Sequence, residues 1–467
     1  MTQLMSRGLR LLMLALLLVS AAVQPAAAQS VLRDSETELL FKDISWPLIE
    51  AAGLDPANVK VVLLRDDEIN AFVAGGQIVY LHSGLLTNAD NVNQLQGVIA
   101  HELGHVAGGH IVRMHDGANA ATKISILSLV LAAAAIAAGA PADAGMGIMM
   151  AGQRAAMGNF MAFTRAQESS ADLAGASYLH KAGISGRGSL EFFKKLQNQE
   201  YRLAIYAEDS YDRTHPLSQE RVQALQEIYQ KDPAWSRPSD PALEARFERV
   251  KAKLQGYIDP QVAARKYPET DQTVPGHYAR AYAYHLGAYP DKALAEADAL
   301  LKTAPEDPFF LELKGQILLE SGRPKEAIPV LREAVKQAPD QPMISVMLGH
   351  ALIASEDSRN FAEAKQMLKN AVNRDNDNPF AWLQLGIVYD REGDQARAAL
   401  ATAERNNLEG NAKLALSSAR VAMKGIPQGT PDYLRAQDIA MVSETELKKD
   451  KKGGTKIEPR SGPRRQR

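Results

Sequence analysis

The residues with the clearest chemical potential lie in a histidine-rich stretch, GVIAHELGHVAGGH, from Gly97 to His110. Its HELGH segment fits the pattern H-E-x-x-H, with His101 and His105 four positions apart. On a helix these two side chains differ by about 40° in direction, so they can share one zinc ion. Glu102 is placed to take a proton from a water that the metal acidifies and to pass it to a leaving amine. The pattern predicts a zinc-dependent peptidase.

A catalytic zinc ion takes three protein ligands and keeps one open position, so a third donor is needed. His110 is not predicted to be that donor. The metzincin pattern places its last histidine at position 111, where this chain has Ile111. If the helix continued past His105, His110 would also point about 140° away from it. We therefore expect His110 to have a supporting or structural role.

A better donor lies downstream, in the segment FTRAQESSADLAGASYL. Glu168 and Asp172 are four positions apart on a predicted helix, so that one helix face presents two carboxylates. Glu168 can ligate the metal, and Asp172 can orient a ligating histidine through its second ring nitrogen. Small residues beside them allow this helix to pack closely against another one, namely Ala171, Ala174, Gly175 and Ala176.

A third motif, THPLSQER, contains His215 and Arg221 just outside predicted helices. Near zinc, these two residues would steady the oxyanion of a tetrahedral intermediate. Alternatively, His215 would fill the open coordination position and hold the enzyme inactive. The spacing of the residues leaves both roles open.

The elements that must position these residues are predicted from periodicity. Helical patterning covers Glu36–Ala52, and strand-like runs cover Val59–Leu64 and Ile78–Leu81. We expect substrate to lie extended along Ile78–Leu81 and to pair with it through backbone hydrogen bonds. The histidine-bearing helix begins near Asp90, and its capping candidates are Asn88, Asp90 and Asn91. The catalytic domain is thus predicted to be α-rich with a small sheet.

An apolar segment from Ile124 to Ala138 follows the histidine motif and resumes from Met146 to Met150. Fifteen helical residues rise about 22 Å, which is less than the ~30 Å hydrocarbon core of a bilayer. The sequence therefore favours a buried helical hairpin, with a membrane-contacting element as the alternative.

Internal repetition begins after a charged, Pro- and Ser-bearing stretch near residues 236–257. Small residues recur every 34 positions at Ala281, Gly315 and Gly349, and the Ala-Pro pairs at Ala304 and Ala338 share this period. Thirty-four residues is the tetratricopeptide repeat period, with small residues where paired helices cross. About four repeats are predicted, the last being degenerate near Ala412–Met423. Repeats of this kind usually bind a polypeptide on their concave face.

The two ends of the chain differ in composition from the rest. Arg7 and Arg10 precede an apolar run and an Ala-rich cleavage site at Ala26–Ala28, which predicts a signal peptide. A large exported protein without cysteine fits the periplasm. The formal net charge of −2 gives no basic footprint for nucleic acid. Only the tail from Lys448 is basic, and it is predicted to be disordered, with membrane contact as an alternative.

Taken in this order, HELGH, ESSAD and THPLSQER resemble the M48 family of zinc metallopeptidases. The signal peptide and repeats make the chain similar to the family's periplasmic branch of β-barrel assembly-enhancing proteases. The resemblance implies one Zn²⁺ per chain, and substrates among misassembled outer-membrane β-barrel proteins, with the repeats contacting the assembly machinery. For the site, it implies metal ligands at His101, His105 and Glu168, a base at Glu102, an orienting Asp172, and His215 with Arg221 near the transition state. It also implies that His215 caps the zinc as a regulatory switch.

The sequence thus predicts a mainly α protein, in which a gluzincin-type α+β metallopeptidase domain precedes an all-α solenoid. The predicted parts are a signal peptide (1–28), the peptidase domain (29–235), a linker with a helix (236–274), the repeat domain (275–425), and a C-terminal helix with a basic tail (426–467). The predicted function is periplasmic protein quality control by proteolysis. The alternative is a chaperone-like repeat scaffold for client proteins with a latent, capped zinc site.

Overall fold

The computed structural model of the chain describes residues 30–138, 141–203, 215 and 218–452. The predicted signal peptide and the basic tail beyond Lys452 lie outside the described residues.

A four-stranded sheet forms one side of the catalytic domain. Its strands are β1 (Ser30–Leu32), β2 (Lys60–Arg65), β3 (Ala71–Ala74) and β4 (Ile78–His82), in the order β1-β2-β4-β3. β4 is parallel to β2 and antiparallel to β3, so it is paired on both sides. The prediction that substrate pairs with Ile78–Leu81 is therefore wrong, because no backbone edge of that strand is free. The edge strand on this side is β3, which the sequence patterning did not predict.

Seven helices complete the described part of the catalytic domain: α1 (Ser35–Ala51), α2 (Ser83–Asn88), α3 (Val92–Gly108), α4 (His110–Ala137), α5 (Ala142–Ala182), α6 (Arg187–Leu203) and α7 (Gln219–Gln230).

The histidine-bearing helix is α3, and the side chain of Asn91 caps it by accepting from the Gln94 amide. Gly109, with φ of 62°, ends it in the left-handed conformation that glycine permits. A new helix starts at His110, so the continuous helix considered for His110 does not form.

The core of the catalytic domain lies between the sheet and helices α1, α3 and α6. Every residue of α3 from Val92 to His105 is buried, and its apolar side chains pack with those of α1 and with Phe192 and Phe193 of α6. The next helix, α8 (Pro241–Ile258), adds Phe247 to the same core. The metal-site helix is thus held on all sides by packed structure, which fixes the directions of its side chains.

Helices α4 and α5 form the antiparallel hairpin that the apolar segment predicted. The prediction that this hairpin is buried is wrong, however. Side chains such as Leu127 and Val130 of α4 are 58% and 57% exposed, and Met150 of α5 is 64% exposed. By length and composition alone, α4 is also apolar enough to cross a membrane.

A helical solenoid follows α8 and a short helix, α9 (Pro260–Lys266). Its paired helices are α10 (Val274–Leu286), α11 (Pro290–Thr303), α12 (Pro308–Glu320), α13 (Pro324–Gln337), α14 (Pro342–Ala354), α15 (Phe361–Arg374), α16 (Pro379–Arg391), α17 (Gln395–Leu408), α18 (Ala412–Gly425) and α19 (Pro431–Lys452). The repeated small residues lie at helix crossings, as predicted. A Cβ atom on Gly315 would lie 2.4 Å from Leu331, and one on Gly349 would lie 2.7 Å from Leu368.

A buried ionic network joins the solenoid to the catalytic domain. Glu36, near the start of α1, is 1% exposed and accepts from the Tyr278 hydroxyl of α10 at 2.7 Å. Lys253 of α8 bridges Asp34 at 2.7 Å and Glu36 at 3.1 Å. Arg249 of α8 links Glu36 to Asp307 of the solenoid, at 2.8 Å on each side. Buried charges that are paired with opposite charges in this way hold their elements in one arrangement.

Candidate metal centre

The candidate site lies where α3 crosses α5, and small residues allow the two helices to approach. A Cβ atom on Gly104 would lie 2.6 Å from the carbonyl oxygen of Ala171, and one on Gly175 would lie 3.0 Å from that of Ala100. On the other side of α3, a Cβ atom on Gly97 would lie 2.6 Å from Ser189 of α6. The predicted close packing of the small residues is confirmed, and it brings side chains from α3 and α5 into one cluster.

Four buried side chains meet in this cluster: His101 and His105 from α3, Glu168 from α5, and His215. The Nε2 atoms of the two α3 histidines are 3.1 Å apart. Glu168 carboxylate oxygens lie 3.4 Å from each of those nitrogens. The Nδ1 atom of His215 lies 3.2 Å from Glu168 and 3.3 Å from His101 Nε2. The structure thus brings together the three predicted ligands and the predicted capping histidine.

The spacing of these four donors suits a tetrahedral metal ion. Ligand bonds of about 2.0–2.1 Å, typical of zinc with nitrogen and oxygen, give donor–donor distances of about 3.4 Å in a tetrahedron. The donor–donor distances within the cluster, from 3.1 to 3.4 Å, are close to this value. Three imidazoles and one carboxylate are also a donor set that zinc accepts. The residues present therefore fit a metal ion of this kind.

A second layer of side chains orients the donors. Asp172 Oδ1 lies 3.0 Å from Nδ1 of His101, which leaves Nε2 directed into the cluster, as predicted. Arg221 binds Asp172 through two nitrogens at 2.6 and 2.8 Å, and it also lies 3.1 Å from Glu168. Arg221 thus positions the two carboxylates in this conformation, whereas the sequence placed it near the transition state.

His110 also belongs to this second layer. Its Nδ1 atom lies 3.0 Å from Nδ1 of His105, on the side of the ring that faces away from the cluster. His110 is not among the four grouped donors, in agreement with the expectation of a supporting role. The reason differs from the predicted one, because the break at Gly109 folds His110 back toward His105.

Glu102 is fully buried beside the cluster, and neither carboxylate oxygen has a hydrogen-bond partner among the described residues. Its nearest charged neighbour is His215, with Nε2 at 3.5 Å. Burial raises the pKa of Glu102 above its usual range. A buried carboxylate without partners is costly in a purely structural role, and it suits a group that receives a proton during a reaction.

The electrostatics of the cluster call for a positive charge at its centre. Burial would lower the pKa of His101, but hydrogen bonds to Asp172 and Glu168 outweigh it and raise that pKa to about 10. Burial and the charge of His101 lower the pKa of His105 to about 2. Burial would raise the pKa of Glu168, yet hydrogen bonds from His101 and His215 lower it. A bound cation would supply the charge that the proton on His101 otherwise provides.

His215 connects the cluster to the edge strand. Its Nε2 atom lies 3.2 Å from the carbonyl oxygen of Ala71 in β3. A carbonyl oxygen can only accept, so Nε2 carries a proton, and Nδ1 faces the cluster, where it would offer its lone pair to a bound metal ion. Sequence reasoning missed Ala71, because a backbone carbonyl on a four-residue strand leaves no signal in side-chain patterns.

A second group of potential ligands lies at the start of the β2–β3 loop and the end of β4, and consists of Asp66, Glu68 and His82. Only His82 of this group is buried, whereas all four members of the first cluster are buried. The first cluster is therefore the candidate catalytic metal centre.

The packing of α3 on α5 gives a first testable prediction. Gly104→Ala is expected to destabilise the catalytic domain by about 1–3 kcal/mol, because the new Cβ atom meets the backbone of Ala171 rather than a flexible side chain. The same shift separates Glu168 from the histidines, so metal affinity should fall as well. Urea unfolding and metal content after equilibrium dialysis would measure the two effects.

Gly158→Ala is the matched control, since Gly158 also lies within a helix and a Cβ atom there meets nothing within 4 Å. Replacing glycine by alanine in an open helical position is expected to be neutral or stabilising by up to about 1 kcal/mol. Equal stability and equal metal content of the two variants would contradict the close-packing argument.

The geometry defines the class of the catalytic domain, which is that of a metallopeptidase, since a cation site and an adjacent proton acceptor are held in one buried pocket. Comparison with known proteins gives the family. Residues 6–229 match peptidase family M48, and residues 278–342 match the tetratricopeptide repeat. The chain therefore contains an M48 peptidase domain followed by tetratricopeptide repeats, and the prediction of a metalloendopeptidase is confirmed.

Bacterial relatives share both parts of the chain. The β-barrel assembly-enhancing protease of Escherichia coli strain K12 is 28% identical over 389 residues, which cover 80% of this chain and 76% of that protein. The protein of the same name from Yersinia pestis is 27% identical over 79% of this chain and 76% of its own length. A putative β-barrel assembly-enhancing protease from Vibrio cholerae is 28% identical, and the match spans 61% of this chain and 59% of that relative.

Among solved structures, the solenoid part is similar to YrrB, a tetratricopeptide repeat protein with an unusual peptide-binding site. The match covers 38% of this chain and 92% of YrrB, with a TM-score of 0.31 and 16% identity.

Proposed function

We propose that this protein is a periplasmic zinc endopeptidase that degrades unfolded or misassembled outer-membrane β-barrel proteins and assists their assembly. The observation that carries the proposal is the buried cluster of four donors at near-tetrahedral spacing beside the carboxylate of Glu102, which has no hydrogen-bond partner among the described residues. The names of the relatives support the client class, and the predicted signal peptide supports the location.

In the proposed site, His101, His105 and Glu168 would hold one zinc ion. When bound, zinc supplies Lewis acidity that polarises the scissile carbonyl and lowers the pKa of water. Glu102 accepts a proton from the attacking water and delivers it to the leaving amine, a role that its raised pKa favours. Asp172 holds the His101 ring in the required tautomer, and Arg221 fixes Asp172 in turn.

Substrate is proposed to pair with the edge strand β3 rather than with β4. The outward carbonyl of Ala71 lies beside His215 and therefore beside the metal cluster. Strand addition requires an extended segment with free backbone groups, which an unfolded or unpaired β-strand provides and a folded barrel does not. This requirement explains a preference for misassembled clients.

The tetratricopeptide repeats are proposed to recruit clients or the outer-membrane assembly machinery. The buried network of Glu36, Arg249 and Lys253 fixes the solenoid against the catalytic domain. A client held by the repeats is therefore kept at a restricted distance from the metal centre, which raises its effective concentration there.

A second candidate function is a chaperone-like repeat scaffold with a capped zinc site. The position of His215 favours it, because its Nδ1 atom occupies the fourth corner of the donor cluster. Its Nε2 atom also engages the Ala71 carbonyl that a substrate strand would use. One residue thus closes both the metal position and the edge strand.

Removal of the metal tests the proposed function. Dialysis against a chelator is expected to abolish cleavage of an unfolded β-barrel protein, and about one equivalent of zinc should restore it. Zinc should also raise the unfolding temperature of the chelated protein, because the folded cluster binds it and the unfolded chain does not. The variant His101→Ala/His105→Ala should show neither response.

The two candidate functions predict different results in this experiment. Cleavage that survives chelation would contradict the zinc peptidase. Suppression of client aggregation that persists without zinc, in a protein that never cleaves the client, would instead support the scaffold.

A further inference from the structure

The exposed surface of the α4–α5 hairpin is unusual for a protein in water. Five neighbouring side chains of α4 are each more than half exposed, namely Ile126, Leu127, Leu129, Val130 and Leu131. Only 11% of the most apolar stretch of this helix is buried. Contiguous apolar surface of this extent marks a site that another apolar phase covers.

The distribution of these side chains around the helix indicates what covers them. Successive helical residues point about 100° apart, so the five exposed residues span about 200° of the circumference. Exposed methionines on α5, Met146, Met150 and Met157, extend the apolar surface onto the second helix. A groove on another protein or a partner helix would cover one narrow stripe along a helix. A bilayer, in contrast, contacts the hairpin on all its outer sides.

The serine hydroxyls in the apolar part of α4 are satisfied within their own helix, as an apolar solvent requires. The hydroxyl of Ser128 donates to the carbonyl of Ser125 at 2.8 Å, and that of Ser125 donates to Ala121 at 3.1 Å. The helices touch through small residues, since a Cβ atom on Gly152 would lie 1.9 Å from Cβ of Ser128. Small residues at the crossing and hydroxyls bonded within their own helix are typical of helix pairs in lipid.

Charge sets the depth of insertion. Asp143 is the single charged residue between Lys123 and Arg154, and it lies in the first turn of α5, where the helix dipole stabilises a carboxylate. Below this apolar part, four exposed basic residues follow along the two arms, Lys123 and Arg154 nearest to it and Arg113 and Arg165 about 15 Å further away, with Asp116 also exposed on α4; we call the four basic residues the collar. From Lys123 to the end of α4 at Ala137 the helix rises about 21 Å. This length matches one leaflet with its interface rather than a whole bilayer.

We propose that the α4–α5 hairpin inserts into one leaflet of a lipid bilayer, with the basic collar among anionic headgroups. The proposal is independent of catalysis, because the apolar part of the hairpin, from Lys123 to Arg154, lies outside the donor cluster. It places the catalytic domain at a membrane surface, since α3 leads directly into α4 and the second arm, α5, itself carries Glu168.

Vesicle flotation of the exported, processed protein tests the proposal, with the loss of residues 1–28 verified by mass spectrometry. The protein is expected to float with vesicles of phosphatidylethanolamine and phosphatidylglycerol. Leu127→Glu/Val130→Glu should lower the bound fraction about tenfold or more. The matched control Leu414→Glu/Val421→Glu changes two similarly exposed apolar residues of the solenoid and should float like the parent.

Insertion depth gives a second measurement. Tryptophan placed at Met146, near the hairpin turn, should be quenched most strongly by lipids brominated near the chain ends. Tryptophan placed at Leu127, near the collar, should be quenched most strongly by lipids brominated near the headgroup. Omitting the anionic lipid should weaken binding, because the collar loses its partners.

Three outcomes would overturn the proposal. The first is a protein that floats with vesicles of neither composition, and the second is the same quenching depth for both tryptophans. Alternatively, light scattering would show a dimer that Leu127→Glu/Val130→Glu dissociates, in which case a second copy of the chain covers the hairpin. Both double variants should retain peptidase activity on a soluble substrate, which verifies their folding.

Discussion

Glu102→Gln is expected to reduce peptide cleavage by about 10²–10⁴-fold while the protein keeps its metal. Glutamine has nearly the shape of glutamate, so the packing around this buried position is preserved. It cannot accept a proton from water, however, and the two oxygens of Glu102 have no other partner among the described residues to explain their burial. Initial rates on an unfolded β-barrel protein, measured together with zinc per chain, would give the result.

Glu191→Gln is the matched control, because Glu191 lies on α6 of the same domain with an exposed carboxylate. It should cleave at the parent rate. Unchanged cleavage by Glu102→Gln would show that Glu102 is not the base. Loss of zinc along with activity would also contradict the assigned role, because it would make Glu102 a ligand.

The residues of the HELGH motif could be predicted to form a site because they lie close together in the sequence. His101, Glu102 and His105 lie within one helical turn and a half, so their relative directions follow from helix geometry alone. Glu168 and Asp172 are distant in sequence, but their four-residue spacing and the small residues beside them indicated a second helix packed against the first. Both predictions rest on helical spacing, and the structure places both segments in helices.

Features without periodicity could not be predicted in the same way. β3 is a four-residue strand, too short for an alternating pattern, and its importance rests on a backbone carbonyl at Ala71. The contacts of Arg221 with Asp172 and Glu168 depend on how α7 packs, which side-chain spacing does not encode. The left-handed turn at Gly109 brings His110 back against His105, a contact that helix periodicity does not indicate.

The hairpin shows a different limit of sequence reasoning. Apolar composition from Ile124 onward predicted helices correctly, but composition is the same for a helix in a protein core and for one in lipid. Only the structure shows that the catalytic core is complete without the apolar part of the hairpin, so that the apolar side chains of this part face outward. Burial is a property of the whole fold, and a local pattern does not determine it.

His215→Ala is expected to raise the basal rate of cleavage. Its Nδ1 atom completes the donor cluster and its Nε2 atom binds Ala71, so the parent must displace His215 before substrate can reach either position. If one molecule in ten is uncapped at a time, removing the cap raises kcat/KM by about tenfold. Progress curves on a short unstructured peptide would measure the rise, since such a peptide needs no recruitment by the repeats.

The matched control for this variant is His115→Ala, which removes an exposed histidine of α4 and should leave the rate unchanged. Zinc content decides between the two roles left open for His215. A His215→Ala protein with full zinc and a raised rate supports the cap, because three ligands suffice to hold the metal. Full zinc with a rate reduced by about 10²–10³-fold would contradict the cap and would identify His215 as a donor to the oxyanion of the transition state.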